Sequence, residues 1–422
     1  MRAELIDCVD WVHSPGMNTV ARKSYDIAVI GGGMVGAATA YHCARQGLST
    51  LLVERKHLAA GGSGGNFGLV LPTTGRFDIS GNLAFEKEGA RRMAALTDEL
   101  DFDIEYRPAH GYCLLVNEGE IEMFSAHRDH FVAAGLPERF ITPQELSVEE
   151  PNLAVSNGII TALQTDEAVL NPLRLVHGLW RGAQRFGAEL LCYSPVNDFK
   201  TANNRVTHVN TASGSIPVGQ VAITAGSWTR QMGRLLQVDL PEYYILAEAV
   251  VTEPLPPLLN GFAYWGNVER IPAESRIAAQ ALEGGWESLG EDVLFSSYDF
   301  GTVQTRRGNM LFGQMTYITP ALSSQVSHKV MPSSAYQALR LFPQLKKARI
   351  ISSWRSPAPF SPDHLPLIGH VQGYDNVLIA SGFQSAITGC HWAGEILARL
   401  ACSDPLSEEA RIFDPGRFQR NL

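Results

Sequence analysis

Residues 25–55 read YDIAVIGGGMVGAATAYHCARQGLSTLLVER, and this stretch decides the fold. Asp26 to Ile30 is a short apolar run rich in Ile and Val, the composition of a buried parallel strand. Gly31-Gly32-Gly33-Met34-Val35-Gly36 follows at once and fits G-x-G-x-x-G. A helical stretch continues to about Gln46, and Thr50 to Val53 is a second apolar strand closed by Glu54. The physical reading is a dinucleotide site. Gly31 permits a tight turn, Gly33 lets the backbone approach a pyrophosphate, and Gly36 lets the helix pack closely on the strand. The helix N-terminus offers unpaired N–H groups and the positive end of its dipole to phosphates. Glu54 lies 23 residues after Gly31, the spacing of an acid that accepts hydrogen bonds from ribose hydroxyls.

The 422 residues exceed what one simple core holds, so two domains are expected. The net charge is −9 and no lysine or arginine block stands out, which argues against nucleic acid and anionic membranes as partners. The six cysteines form no C-x-x-C pair, so neither a metal site nor an iron–sulfur cluster is expected. Scattered single cysteines point to a reducing compartment, and the expected location is cytoplasmic. No run reaches the ~18 apolar residues of a membrane span. Residues 1–23 carry no clear pattern; with Met17 shortly before the first strand, residues 1–16 read as an upstream start or a loose extension.

After Glu54, Gly61-Gly62-Ser63-Gly64-Gly65-Asn66 reads either as backbone passing close to the ligand, with Ser63 and Asn66 as polar contacts, or as a flexible surface loop. Helices are expected over Leu83–Glu99, Glu118–Ala134 and Asn171–Phe186, with a proline-started capping pattern at Thr142-Pro143-Gln144-Glu145. His127 and His130 on the second helix read as a solvated face sooner than a metal pair, since no third ligand is near. Strands are expected over Phe102–Val116, Ala188–Tyr193, Arg205–Asn210 and Ser215–Thr224, the last running into Ala225-Gly226-Ser227-Trp228. Residues 237–350 change character. Short alternating strands, Val293–Tyr298 and Asn309–Gln314, suggest an antiparallel sheet rich in aromatics, among them Phe262, Tyr264, Trp286 and Phe300. Such a face walls a pocket or forms an ordinary core. Near the end, Ile350–Trp354 is a strand, Arg355–Phe360 a proline-rich segment, and Asn376–Ala380 a strand followed by a glycine-opened helix to Cys402.

Four features in this order resemble the D-amino-acid oxidase superfamily of flavoenzymes. They are the G-x-G-x-x-G unit with Glu54, the loop ending in Asn66, the strand into Ala225-Gly226-Ser227-Trp228, and the Pro362-Asp363…Gly369…Gly382 segment. The stretches Ser63–Val70, Leu170–Leu175 and Ser353-Trp354 bring it nearest to the opine oxidase and hydrogen cyanide synthase branch. The resemblance implies an α/β fold: a Rossmann-type FAD-binding domain like that of glutathione reductase, with a second α+β domain on a mixed, largely antiparallel sheet. The implied division is 24–100, 160–235 and 345–402 for FAD, 101–159 and 236–344 for substrate, and 403–422 as a tail. The implied FAD contacts are Gly31, Gly33, Met34, Val35, Gly36, Glu54, Arg55, Ser63, Asn66, Phe67, Gly68 and Val196, then Ala225, Gly226 and Trp228, then Gly382, Phe383, Gln384, Ser385, Ala386, Ile387 and Thr388. The helix beginning near Gln384 would face the flavin N1–C2=O edge.

Departures from the family pattern bear on substrate. An arginine that clamps the substrate carboxylate in many relatives is replaced by Ala358, leaving Arg355, Arg306 or Arg307 as substitutes. The cysteine that holds flavin covalently in sarcosine oxidases is replaced by Ser356, so FAD is expected to bind noncovalently. The implied reaction is hydride removal from the carbon beside the nitrogen of an amine or amino acid. Tyr298, Arg306, His364 and Gln384 are pocket candidates, each equally explicable as structural. The electron acceptor is either oxygen or a partner subunit of a homo- or hetero-oligomer. A flavin-binding protein without turnover is the rival reading, and a nicotinamide enzyme a further one.

Overall fold

The computed structural model describes residues 22–71, 80–133, 135–136, 138–155, 158–266, 270–285, 289–290, 293–320, 322–323, 325–404 and 407–421. All but the last two residues of the 1–23 extension, together with Trp286 and the side chains of His127 and His130, lie outside this description.

The first strand, Tyr25–Ile30, lies at the centre of a parallel sheet, between Gly214–Ile223 and Thr50–Val53. The order across it is Leu367–His370, Val377–Ser381, Gly214–Ile223, Tyr25–Ile30, Thr50–Val53, Glu189–Leu191, and only the Leu367–His370 edge runs antiparallel. An antiparallel extension, Val196–Ala202 with Arg205–Thr211, continues from Gly214–Ile223. Ile27, Ala28, Val29, Leu51 and Leu52 are all fully buried, which is why they read as continuous apolar runs and not as alternation. The helix Met34–Arg45 packs on one face through Ala37, Ala38 and Ala40, each 0% exposed. Side chains this small admit a second helix, Ala386–Ala401, against it.

The second sheet is mixed and largely antiparallel. Its order is Ile350–Phe360, Tyr243–Pro254, Asn309–Thr319, Phe295–Gln304, Phe262–Trp265, Arg107–Leu115, Thr161–Val169, Leu69–Val70. Only Phe262–Trp265 against Arg107–Leu115 is parallel. The strands Leu69–Val70, Thr161–Val169 and Ile350–Phe360 belong to this sheet. The proline-rich segment Arg355–Phe360 continues the expected strand: one strand runs from Ile350 to Phe360. It is the edge strand, paired among the described residues only with Tyr243–Pro254, and Pro357 and Pro359 sit opposite Leu246 and Tyr244 at the same parity. An edge strand has one side with no ladder to complete, so a missing N–H costs nothing there.

The helix starts expected from caps are present. Asn171 accepts from Leu173 and Arg174 N–H, and Thr142 and Glu145 form a capping box. The strand Tyr243–Pro254 and the helices Arg270–Gly284 and Val330–Leu341 were not foreseen. Tyr243–Pro254 is buried on both faces over most of its length, so it offers no period-2 pattern to read. Among the described residues no helix is long and apolar enough to cross a membrane, and no group of three or more potential ligands gathers to hold a metal.

Candidate active site

A cavity of about 600 Å³ is lined by both sheets. At its dinucleotide end are Gly31, Gly33, Met34, Val35, Glu54, Arg55 and Ser63. Gly31 has φ +113°, and a Cβ there would lie 2.5 Å from the Thr224 carbonyl oxygen, so only glycine makes this turn. Gly36 does not line the cavity; a Cβ on it would lie 1.8 Å from the Gly31 oxygen, and its part is to let helix and turn touch. The Glu54 carboxylate is held by two backbone amides, Gly32 N–H to Oε2 at 2.7 Å and Lys56 N–H to Oε1 at 2.7 Å. Each oxygen keeps a lone pair for a ribose hydroxyl. The Met34 N–H donates to Ser63 Oγ at 3.0 Å, tying the glycine–serine loop to the helix N-terminus.

That loop is not a loose surface segment. Gly62 and Gly65 pass so close to the edge strand that a Cβ would lie 2.7 Å from the Pro357 oxygen and 2.6 Å from Ser356 Oγ. Its glycines are therefore demanded by the protein's own strand at least as much as by a ligand. Asn66 and Phe67 line the cavity, and Asn66 Oδ1 also accepts from the Gly68 N–H at 2.8 Å; Gly68 itself is set back from the lining. Val196 lines the same end beside Ser194, Pro195 and Asn197. Ala225, Gly226 and Trp228 return to it, and the Arg55 guanidinium stacks 3.5 Å over the Trp228 ring.

The C-terminal segment contributes Phe383, Gln384, Ser385, Ala386 and Ile387 to the lining, at the N-terminus of the helix Ala386–Ala401. Gly382 and Thr388 stand behind them; Thr388 Oγ1 accepts from the Leu71 N–H at 3.0 Å. Of the four pocket candidates, Gln384 alone faces the cavity. His364 lies behind it, its Nδ1 2.9 Å from Gln384 Nε2, and burial lowers its pKa against the opposing pull of Glu274 and Asp363. Tyr298 turns the other way: its hydroxyl donates to Ser334 Oγ at 2.9 Å on the helix Val330–Leu341, and burial pushes its pKa up to about 12. Arg306 is on a turn, 64% exposed, and pairs with Asp103 at 2.8 Å. A long charged side chain on a strand-connecting turn is solvated there, so neither Tyr298 nor Arg306 reaches the cavity. Arg355 is likewise engaged elsewhere, by Glu248.

The wall opposite the dinucleotide end was not anticipated in detail. It comprises Ile245, Ala247, Phe262, Tyr264, Arg270, Asp299, Phe300, Gln314 and Ala358. Asp299 follows Tyr298 by one residue. The pairing Tyr298↔Met315 is followed by Gly301↔Gly313, so Asp299 and Phe300 together oppose Gln314 in a β-bulge. A bulge breaks the alternation that would have identified the inward residue.

Residues 26–400 match the family of FAD-dependent oxidoreductases designated DAO, and the chain belongs to this family. It is 24% identical over 415 residues to the mitochondrial dimethylglycine dehydrogenase of Mus musculus, covering 96% of this chain and 45% of that protein. It thus spans less than half of that relative's length. It is 23% identical to the sarcosine oxidase subunit beta of Rhizobium meliloti, covering 95% of this chain and 90% of that one. The solved structure of glycine oxidase from Geobacillus kaustophilus superposes with a TM-score of 0.81 at 21% identity, over 94% of this chain and 99% of that one. The fold is accordingly the two-sheet FAD-binding fold. The cradle fits that cofactor: Gly31 leaves no room for a side chain, the carboxylate of Glu54 is fixed at the lining, and two helix N-termini open on the cavity.

Proposed function

We propose that the protein oxidises a C–N bond of a small amine or amino acid, primary or secondary, with noncovalently bound FAD. The observation that carries this reading is that one cavity is lined both by the dinucleotide cradle and by the aromatic wall of the second sheet. Bound FAD supplies the two-electron acceptor for hydride removal. The chain's own groups do the rest. Ile245, Phe262, Phe300 and Phe360 give the cavity an apolar lining, which disfavours the ammonium form of a substrate and leaves the neutral amine that can lose hydride. The N-terminus of the helix Ala386–Ala401 directs backbone N–H groups at charge developing beside it. Gln384 is fixed by His364 as an amide donor or acceptor. No histidine or lysine is among the described lining residues, and the carboxylates there are Glu54 at the dinucleotide end and Asp299 on the far wall.

Ser356 at the position of the flavin-linking cysteine supports noncovalent attachment. The relative named as a subunit supports a hetero-oligomer, and the relative named as a dehydrogenase supports electron transfer to a partner as the second reading beside direct use of oxygen. The cysteines Cys43, Cys113, Cys192 and Cys390 are buried and unbridged, which supports a reducing, cytoplasmic setting. The test is spectroscopic. The purified protein should show flavin absorption, release it on acid precipitation, and bleach anaerobically with at least one of a panel of amino acids, N-methyl amino acids and opines. No bleaching across the panel would remove the oxidation reading and leave flavin binding without turnover.

A further inference from the structure

The C-terminal segment, expected only as a tail, is tied to the cavity through one side chain. It forms two 3-10 helices, Glu408–Phe413 and Pro415–Asn421. Phe413 seats it: the ring is buried and packs against Phe85 and Trp392 at centroid distances of 4.9 and 6.5 Å. Trp392 lies on the helix Ala386–Ala401, so the tail is registered against the helix whose N-terminus opens on the cavity. Further along, Arg417 uses all of its N–H groups. Nε and Nη2 take the Asp363 carboxylate as a fork, at 2.7 and 3.0 Å. Nη2 also donates to the Leu365 carbonyl at 2.8 Å. Nη1 donates to the carbonyls of Phe413 and Asp414 at 2.8 and 3.2 Å, which holds the guanidinium to its own backbone.

Asp363 and Leu365 flank His364. His364 has φ +63°, in the left-handed region that a residue with a Cβ seldom adopts. The turn around it is closed from within: His364 N–H donates to the Ser361 carbonyl at 3.1 Å, Ser361 Oγ to the Leu365 carbonyl at 2.5 Å, and Leu365 N–H to Asp363 Oδ1 at 3.2 Å. Arg417 grips this turn from outside, on the residue before His364 and on the residue after it. A strained conformation persists where its surroundings over-determine it. Held so, the imidazole reaches Gln384, Nδ1 to Nε2 at 2.9 Å, and Gln384 lines the cavity just ahead of the helix Ala386–Ala401. The same turn abuts that segment directly: Gly382 has φ +73°, and a Cβ on it would lie 3.2 Å from the Ser361 nitrogen. From tail to lining the contacts run from Arg417 to Asp363 and Leu365, then to His364 between them, then to Gln384.

We propose that Arg417 is a positioning residue of the cofactor site: through the turn Ser361–Leu365 and His364 it fixes the Gln384 amide at the cavity, which makes the tail part of the active site. This requires FAD in the cavity and not the amine-oxidation reading. A tail that served only to fill space would move the melting temperature and leave the cofactor's redox equilibrium alone. The measurement is therefore the equilibrium of FAD-loaded protein with a reference redox dye, followed by visible absorption, in a double-variant cycle. Gln384→Ala and Arg417→Met should each change the equilibrium constant at least about threefold and in the same direction, and the double variant should change it no more than Gln384→Ala alone. Arg417→Lys keeps the charge but cannot form the fork, and should shift the equilibrium the same way. His364→Asn tolerates the left-handed backbone and is too short to reach Gln384, so it should reproduce the Gln384→Ala value. A folded Arg417→Met with the wild-type equilibrium overturns the proposal, whatever its melting temperature, and so does a shift that adds in full to that of Gln384→Ala. If Arg417→Met does not fold, Arg417→Lys decides by the same two criteria. A wild-type equilibrium in Gln384→Ala or His364→Asn overturns the proposal without any change to the tail.

Discussion

The guanidinium of Arg355 lies on the carboxylate of Glu248, Nε to Oε1 at 2.8 Å, from directly opposed positions on neighbouring strands. The Glu248 side chain is 0% exposed and that of Arg355 12%, and the Tyr317 ring covers the guanidinium at 5.2 Å. Arg355 therefore holds the edge strand to the sheet and does not stand in for the arginine missing at Ala358. Removing one partner of a buried pair leaves the other charge stranded, at a cost of about 3–5 kcal/mol. Arg355→Met should lower the denaturant midpoint accordingly, and Glu248→Gln combined with Arg355→Met should recover most of the loss. A single variant with the wild-type midpoint would show the pair to be idle.

Glu54 is positioned by two backbone amides before any ligand arrives. Such preorganised, charged acceptors contribute about 1.5–3 kcal/mol per hydrogen bond. Glu54→Ala should weaken FAD binding by about 10- to 100-fold, read as the dissociation constant from equilibrium dialysis of the apoprotein. Retention of FAD at wild-type affinity would take Glu54 out of the cradle.

Gly31→Ala places a methyl group 2.5 Å from a backbone oxygen at φ +113°. The strain alone is worth about 1–3 kcal/mol, and the clash adds to it. The apoprotein should melt several degrees lower, and FAD should fail to restore the difference. An unchanged melting temperature would mean that the turn is not as described.

Glu242 is buried, and burial pushes its carboxyl up to about 8 from an ordinary 4.5, against the opposing effects of Ser381 and Arg230. The folded protein thus binds a proton that the unfolded chain has released between pH 4.5 and 8. Stability consequently falls as pH rises through that window, by an amount on the order of a few kcal/mol. Glu242→Gln carries the neutral form permanently, so its advantage over the wild type should grow from pH 5 to pH 8 and level off above. Parallel stability profiles of the two proteins across this range would refute the shift.

Much of the scaffold could be read locally. The strand Thr50–Val53, the Asn171 cap and the Thr142–Glu145 capping box depend on residues within a few positions of one another. The same holds for the cofactor cradle, where strand, glycine turn, helix and acid follow in one unbroken unit. The edge strand Ile350–Phe360 could not be read so, because whether a proline is tolerated depends on which side of the strand is left unpaired. Nor could the inward residue of Phe295–Gln304, where a bulge against Gln314 sends Tyr298 to the core and brings Asp299 to the lining.

By itself the sequence determined that this chain builds a dinucleotide cradle from Gly31 to Glu54, because turn sterics, helix dipole and the reach to an acid are set by spacing along a single βαβ unit. Only the tertiary structure decided the far wall of the cavity and the contacts that hold the second sheet around it. Arg270 meets Asp299 across 29 residues, Arg355 meets Glu248 across 107, and Gly65 meets the Trp354 indole N–H through its carbonyl across 289. Charge pairing and close approach at such separations follow from sheet order and register, which no local pattern encodes.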